Sequence, residues 1–285
     1  MKPAPFEYRL ASSLAHAVEL IDDGVEGAKV LAGGQSLVPL MNLRRITPSV
    51  VVDISRCEEG SGVRDDGDSL VIGALATYRS LEESDLIATH CGLLVEALRY
   101  VGSPAVRNRG TIGGSLSHAD PTAEPPTVVA ALGGELTVIG PRGQRRSAFD
   151  DFCTGPFQVS LAPAELVSEV RLPKLPASAG WGFTEVSRRY SGSAQMAAAA
   201  AIAIDRDRVS AAWISVAGLA SVPTKARDAE NCLRGNAPTD EAFAAAALAA
   251  ANELTGPDDD PYRRQLARVL VRRALERSRR TVEER

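Results

Sequence analysis

The stretch Lys29-Val30-Leu31-Ala32-Gly33-Gly34-Gln35-Ser36-Leu37 places the strongest constraint on what this chain can fold into. A short apolar run ends in two glycines, a small hydroxyl residue follows, and apolar residues then recur at helical spacing. A strand–loop–helix turn of this kind leaves several backbone N–H groups pointing one way, with no Cβ in front of them. That is an anion nest, and an adjoining helix N-terminus strengthens it. Thr111-Ile112-Gly113-Gly114-Ser115 repeats the two glycines and the hydroxyl. Two such turns suit two linked phosphates, so both are expected to close on one dinucleotide pyrophosphate.

At 285 residues the chain can bury a large core and is expected to form two domains. Its net charge of −4 argues against an electrostatic nucleic-acid binder. No apolar run reaches about 18 residues, so no transmembrane helix is expected. The start, Met1-Lys2-Pro3-Ala4-Pro5-Phe6-Glu7-Tyr8, lacks the apolar core of a signal peptide, which makes the cytoplasm the default location. Cys57, Cys91, Cys153 and Cys232 include no C-x-x-C pair, and His16, His90 and His118 are dispersed. The chain is therefore expected to hold no metal or iron–sulfur centre of its own.

Taken in order, Ser12 or Ser13 can cap a helix whose Leu14, Ala17, Val18 and Ile21 share a face. Lys29 to Ala32 is expected as a buried strand, Leu37 to Leu43 as a short helix, and Val50 to Ile54 as a second buried strand. Glu58 to Asp68 has the glycines and acids of a loose loop, and Ser69 to Thr77 is predicted as a strand. Helical patterning follows at Leu81 to Ile87, Leu93 to Val101 and Val128 to Leu132. Glu135 to Ile139 and Arg145 to Phe149 pattern as a hairpin, and Glu165 to Leu172 as a strand. Lys174 to Gly180 is the candidate domain linker. The alanine-rich Gln195 to Asp205 favours helix by propensity. Asp205-Arg206-Asp207-Arg208 has the residues of a hairpin turn, however, so this segment and Val209 to Leu219 are expected as strands. The end is helical: Lys225 to Arg234, Asp240 to Leu254 closed by Gly256, and a last helix opened by Asp260-Pro261. Arg277 to Arg285 is expected to be a frayed tail.

Several familiar chemistries are excluded. The G-x-G-x-x-G fingerprint and the P-loop ending in Gly-Lys-Ser/Thr are absent, so this is neither an ordinary Rossmann site nor a common nucleoside triphosphatase. His118 and Asp120 adjoin Ser115 and Ser117, but neighbours in one loop rarely converge as a triad, and no G-x-S-x-G elbow is present.

Ala32-Gly33-Gly34-Gln35-Ser36-Leu37 together with Asn108-Arg109-Gly110-Thr111-Ile112-Gly113-Gly114-Ser115 resembles the FAD-binding medium subunit of the molybdenum hydroxylases, the xanthine dehydrogenase and aerobic carbon monoxide dehydrogenase group. The resemblance covers nearly the whole chain. It includes Phe6-Glu7-Tyr8, Leu43-Arg44, Pro48, His118-Ala119-Asp120-Pro121, Tyr262-Arg263-Arg264 and Val271-Arg272-Arg273-Ala274. It implies FAD contacts from Ala32, Gly33, Gly34, Gln35 and Ser36, with Leu31 and Leu37, in the first loop. In the second it implies Thr111, Gly113, Gly114 and Ser115, with Gly110 nearby. The acidic position that binds a cofactor hydroxyl falls on Glu124, and a strand contact on Leu166 or Val167. A lysine near the flavin in the animal enzymes corresponds to Thr184. Where many bacterial relatives carry Gly-Asp-aromatic, Ser191-Gly192-Ser193 stands here.

The fold implied is α+β. A two-part FAD-binding domain of the vanillyl-alcohol-oxidase-like (PCMH) type would occupy residues 1–176, with parts of about 1–56 and 57–176. A C-terminal domain, a three-stranded antiparallel sheet with a helical bundle, would occupy 177–285. The function implied is that of one subunit of a three-subunit oxidoreductase. A large subunit would carry molybdopterin and a small one two [2Fe–2S] clusters, the three forming a dimer of heterotrimers. FAD on this chain would pass electrons to an external acceptor. A stand-alone FAD-dependent oxidoreductase with its own substrate pocket, and a cofactor-free structural subunit, are the alternatives.

Overall fold

The computed structural model describes residues 2–24, 26–188, 192–254 and 260–284. Gly256, expected to close a helix, and Arg189, Ser191 and Arg285 lie outside the described residues.

The first unit contains β1 (Glu7–Leu10), α1 (Leu14–Asp22), β2 (Lys29–Leu31), α2 (Leu37–Asn42) and β3 (Val50–Asp53). The three strands are parallel in the order β1-β3-β2. Ser13 caps α1 by accepting the His16 amide, and Leu14, Ala17 and Val18 are buried against the sheet. In a three-stranded sheet only the middle strand is covered on both edges. β3 takes that place with Val50, Val51 and Val52 buried, whereas β2, expected to be buried, is an edge strand with Lys29 exposed and Val30 and Leu31 half-buried.

The second unit opens with a single 3-10 turn at Glu58–Gly60 and continues through β4 (Val63–Asp66), β5 (Ser69–Gly73), α3 (Tyr78–Glu82), α4 (Asp85–His90), α5 (Gly92–Leu98) and α6 (Pro104–Arg107). It is completed by α7 (Ile112–His118), α8 (Glu124–Leu132), β6 (Glu135–Gly140), β7 (Gly143–Ala148), α9 (Phe149–Phe152), β8 (Cys153–Gly155), β9 (Gln158–Val159) and β10 (Leu166–Pro173). Five antiparallel strands run in the order β4-β5-β10-β6-β7. β4 lies within the stretch expected to be a loose loop. It carries no apolar alternation because it is an edge strand, held from β10 by an Arg171–Asp66 ion pair and an Arg64–Glu169 pair at 2.6 Å. Charged edges of this kind also discourage pairing with other chains. The expected helix over Leu81 to Ile87 is two helices, because Ser84 turns the chain and caps α4 at the Ile87 amide.

The third unit contains β11 (Ala179–Ser187), β12 (Ala194–Asp205), β13 (Arg208–Ala217), β14 (Thr224–Lys225), α10 (Arg227–Leu233), α11 (Asp240–Glu253) and α12 (Pro261–Glu283). Its sheet is antiparallel in the order β11-β12-β13-β14, three long strands with a two-residue fourth at the edge. Arg206 and Asp207 both have positive φ, 48° and 62°, the conformation a tight hairpin needs to match strand twist. The alanines of β12 follow from its neighbours rather than from propensity. Ala197, Ala199, Ala201 and Ala203 belong to the core of the second unit, while Met196, Ala198, Ala200 and Ile202 pack in the core under the C-terminal helices. Both faces are covered, and small side chains let both layers approach closely.

The segment Lys174 to Gly180 is tied down as it crosses between units. The Lys174 amide donates to Asp68 O and the Leu175 amide to His90 O, both at 2.9 Å. The expected frayed tail from Arg277 onward is helix through Glu283, because two glycines of β11 admit the α12 backbone. A Cβ on Gly180 would stand 2.1 Å from Ser278 O, and one on Gly182 would stand 2.4 Å from Ala274 O. Ser278 Oγ donates to Ala200 O at 3.1 Å and Thr281 Oγ1 to Trp181 O at 2.9 Å. Gly182→Val should therefore lift α12 off the sheet and destabilise the chain by about 1–3 kcal/mol or more, the range for overpacking. A lowered urea midpoint with native-like secondary structure at zero denaturant is the expected reading, and an unchanged midpoint would contradict this packing.

Candidate functional site

The two glycine turns meet. A Cβ built on Gly33 would lie 2.0 Å from the carbonyl oxygen of Arg109 and 3.1 Å from Gly110 Cα, so backbone presses on backbone there. The turns are built differently, however. The first leaves β2 with Leu31 O accepting from the Ile54 amide at 2.9 Å. Gly34 has φ +75°, a conformation that favours glycine. Among the described residues, the N–H groups of Gly33, Gly34, Gln35, Ser36 and Leu37 meet no protein acceptor. The Ser36 side chain makes no cap bond, and Gln35 Nε2 reaches back to Gly33 O at 3.3 Å. Five successive amides without protein acceptors are a demand for an outside acceptor, and an anion fills it.

The second turn is the start of a helix. Gly113 and Gly114 lie in the first turn of α7, with Thr111 as its N-cap. Its amides are already engaged. Ile112 donates to Ala76 O at 3.1 Å, Gly113 to Ala74 O at 2.9 Å, Gly114 to Thr111 Oγ1 at 3.2 Å and Ser115 to Thr111 O at 3.0 Å. The Tyr78 amide donates to Gly110 O at 2.9 Å, completing a short ladder between residues 74–78 and the turn. The Gly110 and Gly113 hydrogens face the Tyr78 ring and Ala74, leaving no space for larger residues. What this turn retains is the buried Thr111 hydroxyl, whose oxygen accepts from Gly114 and whose proton meets no acceptor among the described residues.

Glu124 is the first residue of α8, preceded by the N-cap Ala123. Burial pushes its carboxyl up to about 7, and the nearby Asp120 adds to the rise. Tyr78 is buried between the same elements; burial lifts its phenol to about 12, with Ser115 opposing. Leu166 and Val167 are each 4 % exposed, with their side chains in cores. Pairing of β10 with β5 stops at Glu169↔Gly73, so on that edge the Leu166 and Val167 backbone lies beyond the ladder, while on the other it pairs with Ile139 and Val138 of β6. Thr184 is not brought to the site: it is buried and donates to Leu270 O at 2.9 Å. Asp120 accepts from the Thr122 amide and hydroxyl, both at 2.9 Å, and holds that turn in place.

Sequence reasoning missed the seam between the second unit and β11. A cavity of about 1010 Å³ opens there, walled by α5, α6, β11 and α12 through residues that include Glu96, Tyr100, Arg107, Trp181, Glu185 and Arg277. Arg277 donates to Tyr100 Oη at 2.8 Å and Phe183 O at 2.5 Å, and pairs with Glu96 at 3.4 Å. Glu185 lines the cavity, and its Oε2 is buried without a hydrogen-bond partner. A carboxylate inside the otherwise apolar and small Trp181-Gly182-Phe183-Thr184-Glu185-Val186 was the available signal.

Residues 4–175 match the family model described as "FAD binding domain in molybdopterin dehydrogenase". The chain belongs to that family. Residues 181–278 match a second model, "CO dehydrogenase flavoprotein C-terminal domain". Among similar proteins, the 6-hydroxypseudooxynicotine dehydrogenase complex subunit alpha of Paenarthrobacter nicotinovorans is 39 % identical over 280 residues, 96 % of this chain and 95 % of that one. The carbon monoxide dehydrogenase medium chain of Afipia carboxidovorans is 33 % identical, covering 98 % of each. The fold superposes on a chain of the carbon monoxide dehydrogenase of Hydrogenophaga pseudoflava, in a form lacking the Mo-pyranopterin moiety, with TM-score 0.94, 34 % identity and 99 % of both chains covered. The chain is thus an oxidoreductase subunit of the molybdenum hydroxylase type, and FAD is the family's cofactor. No helix among the described residues is long and apolar enough to cross a membrane. The acceptor-free amides of the first turn and the hydroxyl of Thr111 have the chemistry that a pyrophosphate needs.

Glu124 should leave a mark on stability without cofactor. Its folded carboxyl sits at about 7 against an ordinary 4.5, so the folded state holds the proton more tightly. Stability from this residue is complete below 4.5 and is lost as pH rises through about 7. Glu124→Gln should therefore gain stability relative to the native cofactor-free chain between pH 4.5 and about 7, as urea midpoints at the two ends will record. A parallel pH dependence in both proteins would contradict the assignment.

Proposed function

We propose that this chain is the FAD-carrying electron-transfer subunit of a three-subunit molybdenum-containing hydroxylase or dehydrogenase of the cytoplasm. A small subunit with two [2Fe–2S] clusters delivers electrons, and a large molybdopterin subunit acts on the substrate. Two such heterotrimers associate, and an external acceptor takes the electrons from the flavin. The observation that carries the reading is the row of five acceptor-free amides, Gly33 to Leu37, pressed against Arg109 and Gly110. Residues 1–176 are read as the cofactor domain and 177–285 as the domain closing over it.

Bound FAD supplies the redox chemistry: it accepts electrons singly and gives them up singly or in pairs. The protein's part is binding and orientation. Gly33, Gly34, Gln35, Ser36 and Leu37 would hold the pyrophosphate with their amides, Leu31 and Ala32 would lead the chain into that turn, and the Ser36 hydroxyl would be able to donate. Thr111 donates from the facing turn, while Gly110, Gly113 and Gly114 keep that turn close, and Ser115 anchors Tyr78. Glu124 accepts from a cofactor hydroxyl, and the backbone of Leu166 and Val167 borders the site. No histidine or cysteine lies in residues 31–37 or 108–117, so the flavin is held without a covalent bond.

Purified chain should contain stoichiometric FAD that acid precipitation releases into the supernatant. Gly33→Ala should weaken FAD retention by about 100-fold, equivalent to about 2.7 kcal/mol, because its methyl enters the Arg109 carbonyl. Gly67→Asn, in an open turn with φ +69°, should retain FAD normally. Full occupancy in the Gly33 variant would overturn the site. Substrate-dependent flavin reduction should need both partner subunits. Rapid bleaching of the isolated chain by an N-heterocycle, an aldehyde or carbon monoxide would instead establish a stand-alone flavoenzyme.

A further inference from the structure

A short loop joins the two parts of the site that lie in the second unit. Residues 119–123 run from the end of α7, whose first turn holds Gly113 and Gly114, to Glu124 at the start of α8. As the first residue of its helix, Glu124 has an amide with no intrahelical acceptor, so the backbone that carries it follows the loop. Within the loop, Ala119 takes the left-handed conformation and Asp120 accepts from Thr122. From outside, the loop is held by the third unit. The Gly218 amide, just past the end of β13, donates to Pro121 O at 3.1 Å, and Arg263 of α12 donates through Nη2 to Gly218 O.

We propose that Arg263 is a positioning residue for the cofactor site: from α12 it grips Gly218, which fixes Pro121 and so sets where Glu124 meets the cofactor hydroxyl. The inference rests on the FAD reading above.

Gly218 is placed to transmit position rather than to yield. Its φ is +81°, and a Cβ there would stand 2.3 Å from Gln195 O, so the backbone is confined on that side. Its amide reaches the second unit while its carbonyl is taken by Arg263. The backbone of Arg263 is fixed in turn by the helix cap, where Asp260 Oδ1 accepts its amide at 2.8 Å. The body of α8 has separate supports. Ser215 Oγ donates to Thr127 O at 2.6 Å and Lys225 Nζ to Ala131 O at 3.0 Å, so β13 and β14 hold the helix from its middle to its end. What Arg263 adds is the entry to the helix, where Glu124 stands. It does so at a cost, because its Nε is buried without a hydrogen-bond partner. A stranded buried donor is destabilising, which suits a residue retained for geometry better than one retained for stability. Arg263 acts through these bonds rather than through its charge. Burial raises the Glu124 carboxyl to about 7, with Asp120 adding to the rise, whereas a cation at work on it would hold it down.

The test uses the full chain. In FAD titrations, Arg263→Ala and Glu124→Ala should each weaken binding by about 10-fold. The double variant should bind no more weakly than the poorer single one, because Arg263 acts through Glu124. Arg263→Lys should restore part of the affinity, and Arg268→Ala, on the exposed side of the same helix, should bind as the native chain does. In cofactor-free protein with carbon-13-labelled glutamate carboxyls, the resonance that disappears in Glu124→Ala should titrate near about 7. It should move down in Arg263→Ala, as the loosened loop admits water, whereas simple loss of a nearby cation would move it up. If Arg263→Ala does not fold, Arg263→Lys decides by the same two measurements, with smaller changes in the same directions. Losses that multiply to about 100-fold in the double variant overturn the positioning role. A Glu124 resonance that stays in place or moves up in the Arg263 variants overturns it as well. A native chain that binds no FAD refutes the function reading, while the carbon-13 titration still decides whether Arg263 positions Glu124.

Discussion

The contact between Gly33 and the Arg109 carbonyl sets the geometry on which the site depends. Strand β2 is an edge strand of a small three-stranded sheet, and α2 is only six residues long, so neither has much buried area to fix its position. Position comes from the turn between them lying directly on the turn before α7. Direct contact of two main chains tolerates no Cβ, because no rotamer can move it aside. The second turn can serve as the anvil because it is itself rigid. Its amides are bonded into residues 74–76 and the Thr111 cap, and Gly113 packs on Ala74. One turn is saturated and fixed, and the other is held against it with its donors open.

A second close approach joins the units. β12 belongs to two cores at once, with alternate residues facing each, and its run of alanines sets both interlayer distances. Gly180 and Gly182 do the same for β11 under α12. The seam is therefore a continuous packed layer, and the Glu96–Arg277–Tyr100 network crosses it from α5 to α12. A void at such a seam, with an unpaired carboxyl on its wall, departs from the dense packing around it. Departures of that kind are retained where a site needs them.

How much was legible in the chain depended on whether a signal was local. The first glycine turn, the Ser13 cap, the Arg206-Asp207 hairpin and the proline opening of α12 are set by residues within a few positions, and each stands where its pattern places it; the second glycine turn, expected as an open nest, is instead the closed first turn of α7. The strands of β12 and β13 were legible only because the hairpin between them outweighed alanine's helix propensity. β4 was hidden because an edge strand held by ion pairs has no apolar alternation to show. The end of α12 was hidden for a similar reason. Its arginines suggest solvent, and the buried Ser278 and the glycines that receive it lie about a hundred residues apart in sequence.

The two turns also explain why one sequence pattern yields two different structures. Both contain Gly-Gly followed by a residue able to hydrogen-bond, yet only Thr111 stands where its hydroxyl can cap the third amide after it. At the matching place in the first turn, three residues before Gly34, stands Leu31, which has no hydroxyl, and the chain there goes from Gly34 at φ +75° directly into α2 with Ser36 uncapped. The capping residue, not the glycines, decides whether the amides turn inward to the protein or outward to a ligand. A β-hydroxyl two residues ahead of the pair closes the nest, and its absence leaves the nest open. On this account the glycines of the first turn act in two distinct ways. Gly33 brings the turn against Arg109, and Gly34 supplies the left-handed backbone that lines up the five donors.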